Sequence, residues 1–384
     1  MNRINTNPQC RAPDDRVARW PLWPVPPRRH PGVLAAGMVF ALLLLGGCAQ
    51  YGPQALTEGR PQYNVAVQQT EAQQLLLNIV RNRYNDPILF LDVTSISTGF
   101  SREVNGNLLG SFSSGNNSGV GSLGGKIGEN PFIFYAPNTG EKFVRQMLTP
   151  LDLRTIALIL QSGWSIERVM LLLGESANQL YNQPGGDSSS QQHNLYLQVA
   201  EALRNLQRNR QLIVGLEPSA TEGESNLVLI ITPEAIESDP YLIVCNSIGV
   251  ECNGEPIRLR QGFGAAADGN TLALATRSLV SAMYQLSRHV DAPRQHVEAG
   301  YASRGQDLSA NTSAAAALRE LFHVRSAAEE PENASVKIFY RDAWFYIADA
   351  DQDSKTTFAL LSLLITLQSA TTTGVMPLIT LPAS

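Results

Sequence analysis

Two spacings of apolar residues divide this chain. One is a period of three to four residues. Leu75, Leu76, Ile79 and Val80 follow it, predicting a helix that Asn64 opens and Asp86-Pro87 closes. Three more helices are expected in the middle. Gly140 to Leu148 stops at Pro150, and Leu151 to about Gln161 carries Leu153, Ile156, Ala157 and Leu160 on one face. Ser165 caps the third, in which Ile166, Val169, Met170, Leu173, Ala177 and Leu180 recur at helical spacing. Short connections make these an antiparallel helical unit. A polar linker, Gln183 to Ser190, leads to a fourth helix, about Gln191 to Asn209, with Leu195, Val199, Ala202, Leu203 and Leu206 inward.

The second spacing is that of strands. Ile88 to Ile96, Leu212 to Val214, Leu227 to Ile231, Leu242 to Cys245, Ile257 to Leu259 and Leu272 to Ala275 read as strands. Thr276 or Ser278 caps a helix carrying Leu279, Met283, Leu286 and Val290, which Pro293 terminates. Gln295 to Ser313 is polar and reads as irregular. Val336 to Tyr340 and Trp344 to Ile347 predict a hairpin, and Leu378 to Leu381 a last strand. Between them Ser354 caps a helix that is apolar all round and too short to span a bilayer, hence a core helix. Gly106 to Gly128 is rich in glycine and serine, with Leu108, Phe112, Val120, Leu123 and Ile127 scattered through it. Composition favours a mobile hairpin or long loop there; a pair of glycine-rich strands is the alternative. The expected fold is α+β: a helical middle unit, mixed or antiparallel sheet in the C-terminal half, and a buried C-terminal helix.

One apolar run has a different meaning. Val33 to Leu45 follows Arg3, Arg11, Arg16, Arg19, Arg28 and Arg29, and ends in Gly46-Gly47-Cys48. A charged leader, an apolar stretch and small residues before a cleavage point make a secretory signal. Leu45-Gly-Gly-Cys48 resembles the lipobox of bacterial lipoproteins, which implies acylation of the Cys48 thiol and cleavage before it. Each acyl chain contributes roughly 0.8 kcal/mol per buried methylene, so several chains anchor stably. Ala49, rather than Asp, after the cysteine resembles the outer-membrane sorting pattern. The expected organisation is a leader over 1–47, a polar tether over 48–63, an N-terminal unit over 64–185 and an α+β domain over 191–384.

The leader removes six arginines and two aspartates, Asp14 and Asp15, leaving a body more acidic than the formal net charge of −5 of the whole chain. That argues against nucleic-acid binding. Cys10 leaves with the leader. Cys245 and Cys252 then stand close in sequence in an oxidising compartment, and a disulfide across Asn246 to Glu251 is expected, that segment reading as a turn between strands.

Several blocks together resemble a family of uncharacterised proteobacterial envelope lipoproteins. They are Leu75-Leu-Leu-Asn-Ile-Val-Arg81, Gly140-Glu-Lys-Phe143, Ser162-Gly-Trp164, Thr276-Arg-Ser278, Trp344-Phe-Tyr-Ile347 and Leu378-Ile-Thr-Leu-Pro382. Their order spreads over nearly all of the mature chain. The resemblance implies an envelope lipoprotein and supplies no catalytic residue.

A search for chemistry ends without a catalytic constellation. No HExxH or GxSxG occurs, and His289 and His296 straddle a helix end at Pro293. Gly186-Asp187-Ser188 echoes a hydrolase serine block but sits in a polar linker. Asp349, Asp351 and Asp353 alternate as in a calcium loop, yet Ser354 and Leu360 stand where that loop needs Gly and Glu. Neither a metal nor a cofactor is called for. The expectation is a lipid-anchored accessory or assembly lipoprotein at the periplasmic face of the outer membrane, without catalytic activity and with an envelope protein partner. A glycan- or peptidoglycan-acting hydrolase and a passive structural lipoprotein are the alternatives. Candidate contact residues are Gly106, Phe112 and Gly128 in the glycine-rich segment, and Trp344 and Tyr346 on the aromatic hairpin.

Overall fold

The fold is that of a computed structural model, which describes residues 51–113, 116–137, 141–182, 187–218, 225–264, 269–303 and 320–370. The expected leader, Cys48 and the expected strand Leu378 to Leu381 lie outside them. The chain divides into two compact units, residues 1–63 and 64–384. Of the first, the described part is Tyr51 to Tyr63, the opening turns of helix α1 (Tyr51–Arg83). The sequence reads these residues as part of a polar tether. Gln54, Ala55, Leu56 and Glu58 are good helix formers, and the helix continues through Pro61.

In the second unit, β1 (Leu91–Ser113) and β2 (Asn116–Pro137) form one long antiparallel ribbon with a bulge between Val93 and Ser95. The favoured reading of the glycine-rich segment, a mobile hairpin or long loop, therefore gives way to its alternative, a pair of glycine-rich strands. Of its scattered apolar residues, positions 108, 112, 123 and 127 share one face of the ribbon and position 120 stands on the other.

Four helices follow at nearly the expected places: α2 (Glu141–Leu148), α3 (Leu153–Gln161), α4 (Ile166–Leu173) and α5 (Asp187–Arg208). Asp152 caps α3 by accepting the Thr155 N–H, and Ser165 caps α4 by accepting that of Arg168. The expected continuation of α4 through Ala177 and Leu180 is instead β3 (Gly174–Ala177) and β4 (Leu180–Tyr181). The helix stops because its carbonyl end is taken by other groups. Asn182 Nδ2 donates to the Leu171 and Gly174 carbonyls at 2.9 and 2.8 Å. The buried Arg277 guanidinium donates to Leu171 O at 3.3 Å and Asn182 O at 3.0 Å. A cation at a helix C-terminus complements the macrodipole.

The main sheet is six-stranded, in the order β4-β3-β8-β7-β6-β5, with β5 (Leu212–Pro218), β6 (Ser225–Ile231), β7 (Ile257–Gln261) and β8 (Thr271–Thr276). The β7–β8 pair is parallel and the others antiparallel, so the sheet is mixed. Ile156 and Leu160 of α3, Val169 and Leu173 of α4, and Leu203 of α5 surround one interior space with Leu229, Leu259 and Leu272 of the sheet.

The expected strand Leu242 to Cys245 is a helix, α6 (Asp239–Ile248). Its signals are Ser238 as cap, Pro240 in the first turn and Gly249 in the left-handed conformation at its end. Cys245 and Cys252 are joined by a disulfide across 5.5 Å between their Cα atoms. The bond ties a helix end to a loop, not two strands.

Beyond β8, Ser278 caps α7 (Leu279–Ser287), and Pro293 opens the short α8 (Arg294–Glu298) inside a stretch expected to be irregular. The aromatic hairpin is part of a three-stranded antiparallel sheet, β10-β11-β9, of β9 (Arg325–Ala327), β10 (Ala334–Tyr340) and β11 (Ala343–Ala348). The C-terminal helix α9 (Gln352–Ala370) buries Phe358, Leu360, Leu361 and Leu364 and leaves Leu363 and Leu367 exposed. Its cap is Asp351, whose carboxylate accepts the Ser354 N–H at 3.0 Å, where Ser354 was expected.

Candidate functional site

The ribbon β1–β2 is held at one end by a root built on α1. Asn78 is fully buried. Its Nδ2 donates to Leu89 O at 2.7 Å while its Oδ1 accepts the Leu89 N–H at 3.1 Å. One turn earlier, Gln74 does the same for Leu91, accepting its N–H at 2.7 Å and donating to its carbonyl at 3.2 Å. Residues four apart on a helix rise about 6 Å, and residues two apart on a strand about 6.6 Å. The two amides therefore match alternate residues of the chain entering β1, as a neighbouring strand would. Phe90, between them, turns inward and meets Phe143 of α2 edge to face, ring centres 5.9 Å apart.

A second set of contacts secures the turn before the root. Asp86 accepts hydrogen bonds from the Tyr340 hydroxyl and from Arg341 Nη2 at 2.9 Å. Burial works against the Asp86 charge, but these bonds outweigh it and hold the carboxyl below its ordinary value. Tyr84 packs edge to face on Tyr340 and Phe345, and its Oη is 2.7 Å from His296 Nδ1. Burial pushes the Tyr84 phenol up to about 12, so it stays protonated at neutral pH.

The ribbon extends well beyond the root. At about 3.3 Å per residue, the 23 residues of β1 reach roughly 75 Å. Among the described residues neither outer edge pairs with a third strand. Near the root, Phe132, Phe134 and Tyr135 are 62%, 55% and 61% exposed. A two-stranded ribbon is marginal in water by itself, and consecutive exposed aromatics mark contact surfaces. The geometry is that of an arm clamped at its root, whose outer edges pair with no third strand among the described residues.

The other polar clusters serve the fold. The three alternating aspartates are separately engaged: Asp349 with Lys355, Asp351 with Ser354, and Asp353 with the buried Arg168 at 2.8 Å. Among the described residues no group of three or more His, Cys, Asp or Glu could hold a metal ion. Asp187 and Ser188 belong to α5. An open groove of about 970 Å³ lies between α1, β10 and α9, with Glu71, Trp164, Lys337 and Lys355 in its lining. Among the described residues of its lining Glu71 is the one carboxylate, where a glycoside hydrolase needs a pair. Burial, then the nearby Asp92 charge, raise Glu71 above its ordinary value.

Of the residues singled out in the sequence, Gly106, Phe112 and Gly128 lie on the arm. Trp344 and Tyr346 do not join them. They sit half-buried on the outer face of the central strand β11, where Trp344 packs on Phe339 at 5.3 Å, while Phe345 between them enters the core. The root residues Gln74, Asn78 and Phe90 escaped sequence reasoning as a functional set. The one available signal was a polar Asn78 on the apolar face of a helix. No protein-family model, curated protein or solved structure matches the chain.

Proposed function

We propose that this chain is a lipid-anchored envelope lipoprotein, acylated on Cys48 and held at the periplasmic face of the outer membrane, that works by assembling with envelope proteins through the β1–β2 arm. The observation that carries the reading is the arm: a long ribbon clamped at its root by Asn78 and Gln74, with open edges and exposed aromatics beside the root. Lipobox-like residues Leu45 to Cys48 and the family resemblance support the address. No helix among the described residues is long and apolar enough to cross a membrane.

The register designs the test. Ser97 stands opposite Phe132, so residues 98–131 can be replaced by Asn-Gly, closing a short hairpin over an intact root. The shortened protein should keep a cooperative thermal transition near the wild-type midpoint, with strand signal reduced only by the residues removed, and lose the envelope proteins that co-purify with the full chain under mild crosslinking. An unchanged set of partners would remove the arm from the function.

A further inference from the structure

We infer that the arm crosses the lipid bilayer, copies of this chain joining edge to edge through β1 and β2 into a closed barrel. The inference rests on the anchored-lipoprotein reading, which puts the chain at a membrane.

Alternation carries it first. Positions 96, 100, 104, 108 and 112 of β1 share one face and are Ile, Phe, Val, Leu and Phe. The register adds positions 133, 127 and 123 of β2 to that face, which are Ile, Ile and Leu. The opposite face collects Ser97, Ser101, Asn105, Asn107 and Ser111 from β1, and Asn130, Lys126, Ser122 and Ser118 from β2. Phe132, opposite Ser97 near the root, and the opposed pair Leu109 and Val120 towards the tip interrupt the polar face, and the charged exceptions on the apolar face are Arg102, opposite Ile127, and Glu129, opposite Phe100. A face of this kind on each side is what a barrel wall presents to lipid and to a water-filled lumen.

The distribution of charge sets the depth. Positions 104–112 and 117–125 contain no charged residue. Each stretch is about as long as the ~9–11 residues of a tilted transmembrane strand. Arg102, Glu103, Lys126 and Glu129 stand together just below, with Glu103 directly opposite Lys126. Phe132, Phe134 and Tyr135 follow, exposed, at the level where aromatic girdles flank a bilayer. Glycines at 106, 110, 119, 121 and 125 on the apolar face suit a curved wall.

The open edges name the partner. A two-stranded ribbon cannot enter hydrocarbon alone, because its unpaired N–H and C=O groups have no water there. β1 of one copy and β2 of the next run in opposite directions, so the same antiparallel pairing can repeat around a ring until it closes.

The native cysteines leave a quiet background, since Cys245 and Cys252 are disulfide-bonded and Cys48 would be acylated. In membrane vesicles carrying the full lipoprotein, Val104→Cys and Leu108→Cys should react at least tenfold more slowly with a small charged methanethiosulfonate than Asn105→Cys and Asn107→Cys. The detergent-extracted protein should be a defined ring by light scattering. Equal reactivity at all four positions, or a monomer, overturns the barrel. Absence of palmitate from the wild type would instead sink the anchor and leave the alternation in reactivity standing.

Discussion

Asn78 hydrogen-bonds both the N–H and the carbonyl of Leu89, so a helix side chain completes the backbone ladder at the point where the arm begins. Asn78→Ala strips both partners from a part-buried peptide group and empties a fully buried site, at a cost of about 2–3 kcal/mol. Gln74→Ala, at a wetter site, should cost under about 1 kcal/mol. Urea midpoints measure both. Hydrogen exchange of the Leu89 and Leu91 amides should accelerate in the respective variants while that of Leu172, deep in α4, does not.

Gly174 is where α4 passes into β3, against a fully buried tyrosine. A Cβ there would stand 2.1 Å from Tyr196 Oη and 2.7 Å from Met170 O. Gly174→Ala should destabilise by about 2–3 kcal/mol through overpacking. Tyr196→Phe alone loses the 2.9 Å bond to Met170 O, worth about 1 kcal/mol. In the double variant one clash is gone and the backbone clash stays, so the summed effects should exceed the measured one.

The buried His193 makes stability depend on pH. Its Nδ1 lies 3.1 Å from Tyr181 O, and burial lowers its pKa below the ordinary 6.5. The unfolded chain therefore takes up a proton first as pH falls. Its contribution to stability is complete above about pH 6.5 and is lost as pH drops towards the lower folded value. Between pH 7.5 and 5.5 the urea midpoint should fall more for the wild type than for His193→Asn. Parallel shifts would remove His193 from the account.

The disulfide closes a short loop, at a sequence separation of 7. By loop-closure entropy it contributes about 2–2.5 kcal/mol. Dithiothreitol should lower the thermal midpoint of the wild type and leave a Cys245→Ala, Cys252→Ala variant unmoved.

Much of this fold is legible where spacing and caps agree. Ser165, Ser278 and the apolar faces of α3 to α5 announce themselves. The misreadings have physical causes. Leu242 to Cys245 is a short apolar run that fits either element, and the deciding signals, Ser238, Pro240 and Gly249, flank it. Ala177 and Leu180 continue the helical period of α4, but Gly174 and the grip of Asn182 and Arg277 on its carbonyls end it. In the arm, apolar residues every fourth position fit a helix face as well as a strand face, and glycine hides the strand signal. The root was invisible because an amide bonding to a peptide group leaves no compositional trace.

Membrane anchoring through Cys48 is the claim on which the functional account stands. Metabolic labelling with palmitate, followed by separation of inner and outer membranes, tests it directly. The wild type should carry label and fractionate with the outer membrane, and Cys48→Ala should carry none. Label retained by Cys48→Ala, or none on the wild type, would contradict the account.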